Sequence, residues 1–228
     1  PAQRLAVDAR INSETKSYFA LKMENNDYIE VDPKQGDFNL TSFSISAWIQ
    51  LTDSWNAPIF TRGNLISFGI KKIWKRGYAE LCVLGECYYG SHPIILNSWT
   101  HVAGVFDWEN RVVRFYGNGM EDESVAIPWK QLTKDHYTNE VLVLLGSDAS
   151  KQNFFHGYLD NVSVWKRALS TEEASRMVYG AYGAGCEGIV AFWSFDQQPA
   201  THSSAVDDVS GIVGKFQGAP MWLENKDK

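Results

Sequence analysis

The chain reads as an all-β, two-sheet antiparallel sandwich with one short α-helix near the C-terminal third. Three observations predict it. Residues 43–51 (FSISAWIQL) alternate, with Phe43, Ile45, Ala47, Ile49 and Leu51 on one face and Ser46, Trp48 and Gln50 on the other, the period-two pattern of a half-buried strand. Similar runs recur at short intervals between turn residues, as in a sandwich. Helix-start signals are clearest at Ser170-Thr171-Glu172-Glu173, a capping box followed by Ala174, Met177 and Val178 on one face, which predicts a helix over 171–179.

Composition sets the bounds. The 228 residues, 44% of them apolar, with 9 Trp, 12 Phe and 10 Tyr, suit one large β domain spanning 1–228. A formal charge of −6 with both signs interleaved gives no electrostatic footprint for nucleic acid. The longest apolar stretches, 141–145 and 189–193, are far too short for a bilayer span. No charged-then-apolar leader starts at Pro1.

In chain order, residues 1–16 are polar and irregular. Residues 18–31 (YFALKMENNDYIEV) predict two strands around an Asn25-Asn26-Asp27 turn. After the strand at 43–51, residues 59–72 predict a strand pair, and 78–89 a hairpin whose tip, Val83-Leu84-Gly85-Glu86, is bracketed by Cys82 and Cys87. Opposed strand positions bring two Cβ atoms near disulfide distance, so a Cys82–Cys87 bridge is expected, two buried thiols being the alternative. Cys186 is then odd, either free or paired outside this chain. The spacing fits no zinc knuckle.

Residues 97–117 predict two strands around a polar turn at 107–110, and 117–119 close the next hairpin. Residues 121–139 lack pattern and read as a long loop, with Glu121-Asp122-Glu123 as solvated charges. Strand signals return at 141–146. In 152–178, Asp160, Val162 and Val164 point one way and Asn161, Ser163 and Trp165 the other. A glycine-rich joint, 180–188, carries Cys186 and leads to a strand at 188–196. Residues 188–228 read as the closing segment of the same sandwich, since too few remain for another core; the alternative is the opening of a second repeat.

Several strings resemble the laminin-G-like (concanavalin A-like lectin/glucanase) jelly-roll family. YFALKMENNDYIEV resembles its "A-L-x-F-D-G-x-x-D-Y-V" opening, FSISAWI its "F-T-V-S-A-W-V", and WTHVAGVFD its "W-H-H-V-A-x-x-Y-D". Residues 152–178 resemble "F-x-G-x-I-D-E-V-R-I-Y-N-R-A-L-S-x-E-E-I", and 188–222 its "V-A-Y-W-x-F-D-E…D-x-S-G…G-x-P-x-W". The resemblance implies a jelly roll. It also implies a structural calcium ion held by one acid of the opening motif and one of the closing motif, here Glu24 and Asp160, with Asp196 or Asp208 near the same rim. Calcium takes six to eight oxygens, so turn carbonyls at 25–27 would complete the shell.

Enzymes share this jelly roll, but the paired-acid string E-x-D-x-x-E of its glycoside hydrolases does not occur. Nor do G-x-S-x-G, H-E-x-x-H or a phosphate loop. His92, His101, His136, His156 and His202 are scattered, and His101 reads as a satisfied core imidazole. A recognition module needs less: exposed rings to cover the apolar face of a sugar, with polar groups at the edge. Trp55, Trp74, Trp108 and Trp129 fall in predicted loops or strand ends, while Trp48, Trp99, Trp165 and Trp193 sit in strands as packing. The expectation is a non-catalytic extracellular or cell-surface module, one piece of a larger protein, binding a glycan; the alternative is protein–protein adhesion. Two N-glycosylation strings occur, at Asn39 and Asn161.

Overall fold

The computed structural model describes residues 19–52, 56–128, 141–179, 185–196 and 203–224. The first half holds β1 (Phe19–Met23), β2 (Tyr28–Val31), β3 (Phe43–Leu51), β4 (Ala57–Arg62), β5 (Ile66–Ile73), β6 (Arg76–Val83) and β7 (Glu86–Tyr89). The middle adds β8 (Thr100–Asp107), β9 (Val112–Gly117), β10 (Met120–Ala126), β11 (Val143–Leu145) and β12 (Gly157–Trp165). A helix, α1 (Thr171–Arg176), runs into a 3-10 turn (Met177–Tyr179); β13 (Ile189–Trp193), β14 (Ser204–Val206), β15 (Val213–Gln217) and β16 (Met221–Glu224) follow.

The strands form two antiparallel sheets, the expected sandwich. Sheet I has the order β10-β9-β8-β3-β12-β1-β16, with β13 also on β12; sheet II has the order β14-β15-β2-β11-β4-β5-β6-β7. The alternation seen in the sequence packs the space between them. Phe43, Ile45, Ala47, Ile49 and Leu51 of β3 are fully buried, as are Phe60, Phe68 and Leu81 from the facing sheet. Burial of this apolar surface stabilises the fold at roughly 25 cal/mol per Å2.

Sheet I carries a second, smaller core on its other side. Trp165, Leu169, Ala174 and Met177 pack there on Ala103, Val105 and Tyr116. The capping box positions the helix: the Glu173 N–H donates to Ser170 Oγ at 3.3 Å, and the Ser170 N–H donates to Glu173 Oε2 at 2.9 Å. Ser44 joins strand to helix, donating to the Arg167 carbonyl and accepting from the Leu169 N–H, both at 3.0 Å. The Arg167 guanidinium, with help from the Ser170 N–H, holds the Glu173 carboxyl down at about 2.

The two strands around the turn at 25–27 are as expected, β1 and β2 joining different sheets across it. Asp27 fixes the turn, accepting from the Glu24 N–H at 2.9 Å and the Ala219 N–H at 2.7 Å. Two other local expectations are corrected. Residues 120–126 form edge strand β10, not loop; an edge strand need not bury alternate side chains, so its pattern is weak. A bulge there turns Asp122 inward, where it accepts from the Ser91 and His92 N–H groups, each at 3.0 Å, and touches the His92 ring. Asp122 is thus a bolt between the rims of the two sheets, not a solvated charge.

The second correction is in β12. The register slips between Asp160 and Ser163, and Asn161 sits at φ 49°. One extra residue resets the face of everything before it. Asp160 therefore lies opposite Trp48, on the helix-covered side with Ser163, while Val162 and Val164 face the sandwich core.

The closing segment contributes to both sheets. β13 and β16 extend sheet I, and β15 pairs with β2 in sheet II. Asp207 organises it, accepting from the N–H groups of Phe192 (3.2 Å), Val209 (2.8 Å) and Ile212 (2.6 Å). No helix among the described residues is long and apolar enough to cross a membrane.

Candidate functional site

Among the described residues, the outer face of sheet II is uncovered over β5 to β7, whereas β4 is buried along its whole length. Strand parity decides what it carries. In β5 and β6, Ile66, Phe68, Ile70, Ala79, Leu81 and Val83 point inward, which leaves Ser67, Lys71, Tyr78, Glu80 and Cys82 outward. The register aligns them in rows: Thr61–Ser67–Cys82–Cys87, then Gly69–Glu80–Tyr89, then Lys71–Tyr78. Gly69 is required where it stands, because a Cβ would lie 2.5 Å from the Ala57 carbonyl oxygen of the bulged neighbouring strand.

Three adjoining hollows follow these rows. One of about 440 Å3, at the β5–β6 tip, is lined by Ile73, Trp74, Lys75, Arg76, Tyr78 and Gly90. A second of about 150 Å3 includes Asn56, Ser67, Lys71, Glu80, Asp148 and Asn153. A third of about 360 Å3 shares Ser67 and Asp148 with it and is floored by Cys82 and Cys87. Those cysteines are joined in the expected disulfide, as their pairing across β6 and β7 allows, with Cα atoms 4.0 Å apart.

Two acids border the middle hollow, and their surroundings differ. Desolvation raises the Glu80 carboxyl above the usual range, against the opposing pull of Lys71 and the Tyr89 hydroxyl. Asp148 also suffers desolvation, but bonds from Asn153, Gln152 and Ser150 outweigh it and lower its carboxyl. Both Asp148 oxygens serve its own loop: one accepts from Ser150 Oγ and the Gln152 N–H, each at 3.0 Å, the other from Asn153 Nδ2 at 2.6 Å. Glu80 also lies near the two sulfurs, yet these are bonded to each other and offer no thiolate to a metal.

At the end of the face stands Trp74, 94% exposed. Its backbone is left-handed, at φ 59°, a strain of about 1 kcal/mol for a bulky residue. Trp108, by contrast, is half-buried on sheet I's β8–β9 turn, stacked on Phe106 with the Arg111 guanidinium 3.8 Å from its ring centre. The two rings belong to different sheets and do not form one platform. Trp55, Trp129, His136 and His202 lie outside the described residues.

The expected calcium pair is not brought together. Glu24 is one residue beyond the Met23–Gly157 pair, and Asp160 one beyond the Leu21–Leu159 pair on the other side. Four strand positions separate them, roughly 13 Å. Lys22 Nζ lies 2.6 Å from Glu24, Asp160 is buried beside Trp48, and Asp196 and Asp208 accept from the Phe19 and Ser194 N–H groups. These acids do not fit a shared ion.

His101 is in the core as expected, but not satisfied. It is 1% exposed, edge-on to Trp48 at 5.5 Å, and neither ring nitrogen has a hydrogen-bond partner among the described residues. Burial pushes its pKa down to about 3. Of the packing tryptophans, Trp165 and Trp193 are buried, and Trp48 donates to the Val178 carbonyl at 3.1 Å. Of the two glycosylation strings, Asn39 is exposed, whereas Asn161 is 8% exposed in the bulge of β12.

The comparisons with known proteins follow the fold. A family model described as the concanavalin A-like lectin/glucanases superfamily matches residues 23–175. A search of curated proteins gave no match. Among solved structures, a candidate carbohydrate-binding protein of Bacteroides ovatus superposes with TM-score 0.74 at 20% identity, over 92% of this chain and 61% of its own. The heptameric SAP-like pentraxin of Limulus polyphemus superposes with TM-score 0.55 at 14% identity, over 94% of this chain and 92% of its own. Both likenesses are likenesses of fold.

Proposed function

The chain belongs to the concanavalin A-like lectin/glucanases superfamily, and from that premise we propose that it is a non-catalytic carbohydrate-binding module working outside the cytosol. Trp74 carries this reading. A ring 94% exposed on a left-handed backbone serves no packing purpose, and an exposed ring beside polar groups suits the apolar face of a sugar. Tyr78, Tyr89, Glu80, Ser67 and Asn153 continue from it along the open face, where hydroxyl groups would find donors and acceptors. The carbohydrate-binding description of the Bacteroides ovatus protein agrees with it.

Binding is favoured over catalysis because Asp148, the nearest acid to share a hollow with Glu80, has both oxygens committed to its own loop. A placement outside the cytosol draws on the Cys82–Cys87 bridge, since reducing compartments keep such thiols apart. A glycan array run on the wild type and on Trp74→Ala tests the module. Retention of defined glycans by the wild type, with at least a tenfold loss in the variant, is the expected outcome. Undiminished binding by the variant would move the site elsewhere.

One observation favours the adhesion reading. A pocket of about 290 Å3 between the sheet rims is flanked by Ile95, 66% exposed, and Met120, 72% exposed. An empty array combined with a pull-down sensitive to Ile95→Asp would favour a protein partner.

A further inference from the structure

We infer that the glycan is anionic, a chain of carboxylate- or sulfate-bearing sugars, gripped at the β5–β6 hairpin tip by Trp74 with Lys71, Lys72, Lys75 and Arg76; this rests on the carbohydrate reading above. The sequence concentrates charge there: residues 71–76 read KKIWKR, four cations in six positions of a chain whose net charge is −6. All four are exposed, as is Trp74.

What sets these cations apart is that they cluster unpaired at one tip, whereas many of the others stand singly against an acid. Lys22 lies against Glu24, Lys151 against Glu30, Lys166 against Asp37, Arg167 against Glu173 and Arg176 against Glu172. Among the described residues, Lys71, Lys72, Lys75 and Arg76 form no ion pair; Lys71 acts on Glu80 only at longer range. An acidic protein thus keeps four unneutralised cations around an exposed ring.

The hairpin fixes them in relation to one another. Ile73 pairs with Arg76, Lys72 with Gly77 and Lys71 with Tyr78. Lys71 and Arg76 therefore stand on the outer face beside Tyr78, Lys75 shares the apex with Trp74, and Lys72 flanks the tip from the other side. The Lys72 N–H donates to Asn56 Oδ1 at 3.2 Å, tying the tip to the neighbouring strand. Exposed charges are individually weak in water, but several acting on one ligand add, and their effect falls with salt because the screening length is about 10 Å at 0.1 M.

A tip with Trp and Lys also suits an anionic bilayer surface. The hollow argues for the glycan. It lies against Trp74 and Tyr78, and a second hollow lined by Glu80, Ser67 and Asp148 lies farther along the same strands, concavities that sugar units can enter and a flat membrane would not.

The experiment measures retention of the full chain on heparin, polygalacturonate and neutral dextran at low and high salt. It uses the wild type, Trp74→Ala, Lys75→Glu, and Lys215→Glu as a control for net charge, each checked for an unchanged melting midpoint. The inference expects an anionic chain to be held at least tenfold more tightly than dextran. It also expects roughly tenfold weakening by added salt and loss in the first two variants but not in the Lys215 control. Equal retention of dextran, indifferent to charge reversal, overturns the anionic assignment and leaves the module reading intact. No retention of any glycan, here or on the array, overturns both. Equal weakening by Lys215→Glu reduces the effect to bulk charge and overturns it. So does capture by phosphatidylserine vesicles without capture by either soluble polyanion.

Discussion

The outer faces of the two sheets are made from the same kind of strand and treated in opposite ways. Sheet I's face is roofed: α1 and the turn after it bury Trp165, Leu169, Ala174 and Met177 on Ala103, Val105 and Tyr116. Apart from His101, polar side chains trapped beneath that roof include pairs that bond locally, Ser46 with Ser163 at 2.9 Å and Trp165 Nε1 with Ser163 Oγ at 3.0 Å. Sheet II's face over β5 to β7 has no such roof among the described residues. There, rings and charges meet solvent, and one of them, Trp74, keeps a strained backbone to do so. The contrast teaches which side chains to expect in stability and which in binding. A Trp on the roofed side is structure; a Trp on the open side is a candidate contact.

The largest effect should come from breaking the roof. Trp165 is 3% exposed, and truncating a buried ring of this size typically costs about 3–5 kcal/mol. Trp165→Ala is expected to lower the denaturant midpoint by a corresponding amount while the folded fraction still binds glycan. A variant that unfolds with a wild-type midpoint would mean that the helix is not a structural roof. Parallel loss of binding in protein that remains folded would mean that the two faces are not separate in role.

The sequence disclosed the roof better than the open face, for a physical reason. Core strands announce themselves by alternation, as β3 does, and the helix by its capping box; both are local signals. Cys82 and Cys87 were legible because a hairpin tip defines its own register. The face bearing Tyr78, Glu80 and Tyr89 was legible in principle, since Tyr78-Ala79-Glu80-Leu81-Cys82 alternates, but alternation does not say whether a roof covers the outer set. Asp160 misled because one bulged residue exchanged its face, and bulges leave no consistent mark in a sequence. Pairing it with Glu24 required register between distant strands. Trp108 and Trp74 both look like turn residues; only the packed neighbours, Phe106 and Arg111, make one of them structural.

Acid should sharpen the comparison from the roofed side. His101 lies opposite Trp48 beneath that roof, and its pKa falls from 6.5 to about 3 through burial. The unfolded chain therefore takes up a proton before the folded one. Stability is complete above the unfolded value and declines as pH drops from about 6.5 toward about 3, with a slope approaching roughly 1.4 kcal/mol per pH unit from this one group. Melting midpoints between pH 7 and pH 5 read it by comparison with a variant lacking the imidazole. The Glu173 contribution is lost only lower, as pH falls from 4.5 to about 2, and the raised Glu80 carboxyl acts in the opposite sense and is common to both proteins. His101→Leu is expected to flatten the curve in that window. Equal pH slopes in the two proteins there would show that the imidazole finds a proton acceptor on folding.

The smallest effect on stability is the most discriminating, because its sign should be opposite to its effect on function. Trp74 occupies a left-handed conformation at φ 59° while only 6% short of full exposure, so it contributes strain and almost no burial. Asn tolerates that conformation better than any bulky side chain. Trp74→Asn is therefore expected to leave stability unchanged or raise it by about 0.5 kcal/mol, and to weaken glycan binding at least tenfold. Chemical denaturation and glycan titration on the same preparation read both quantities. A destabilisation above about 1 kcal/mol would mean that the ring packs on something after all. Trp74 would then join Trp108 on the structural side, and the open face would lose its anchor.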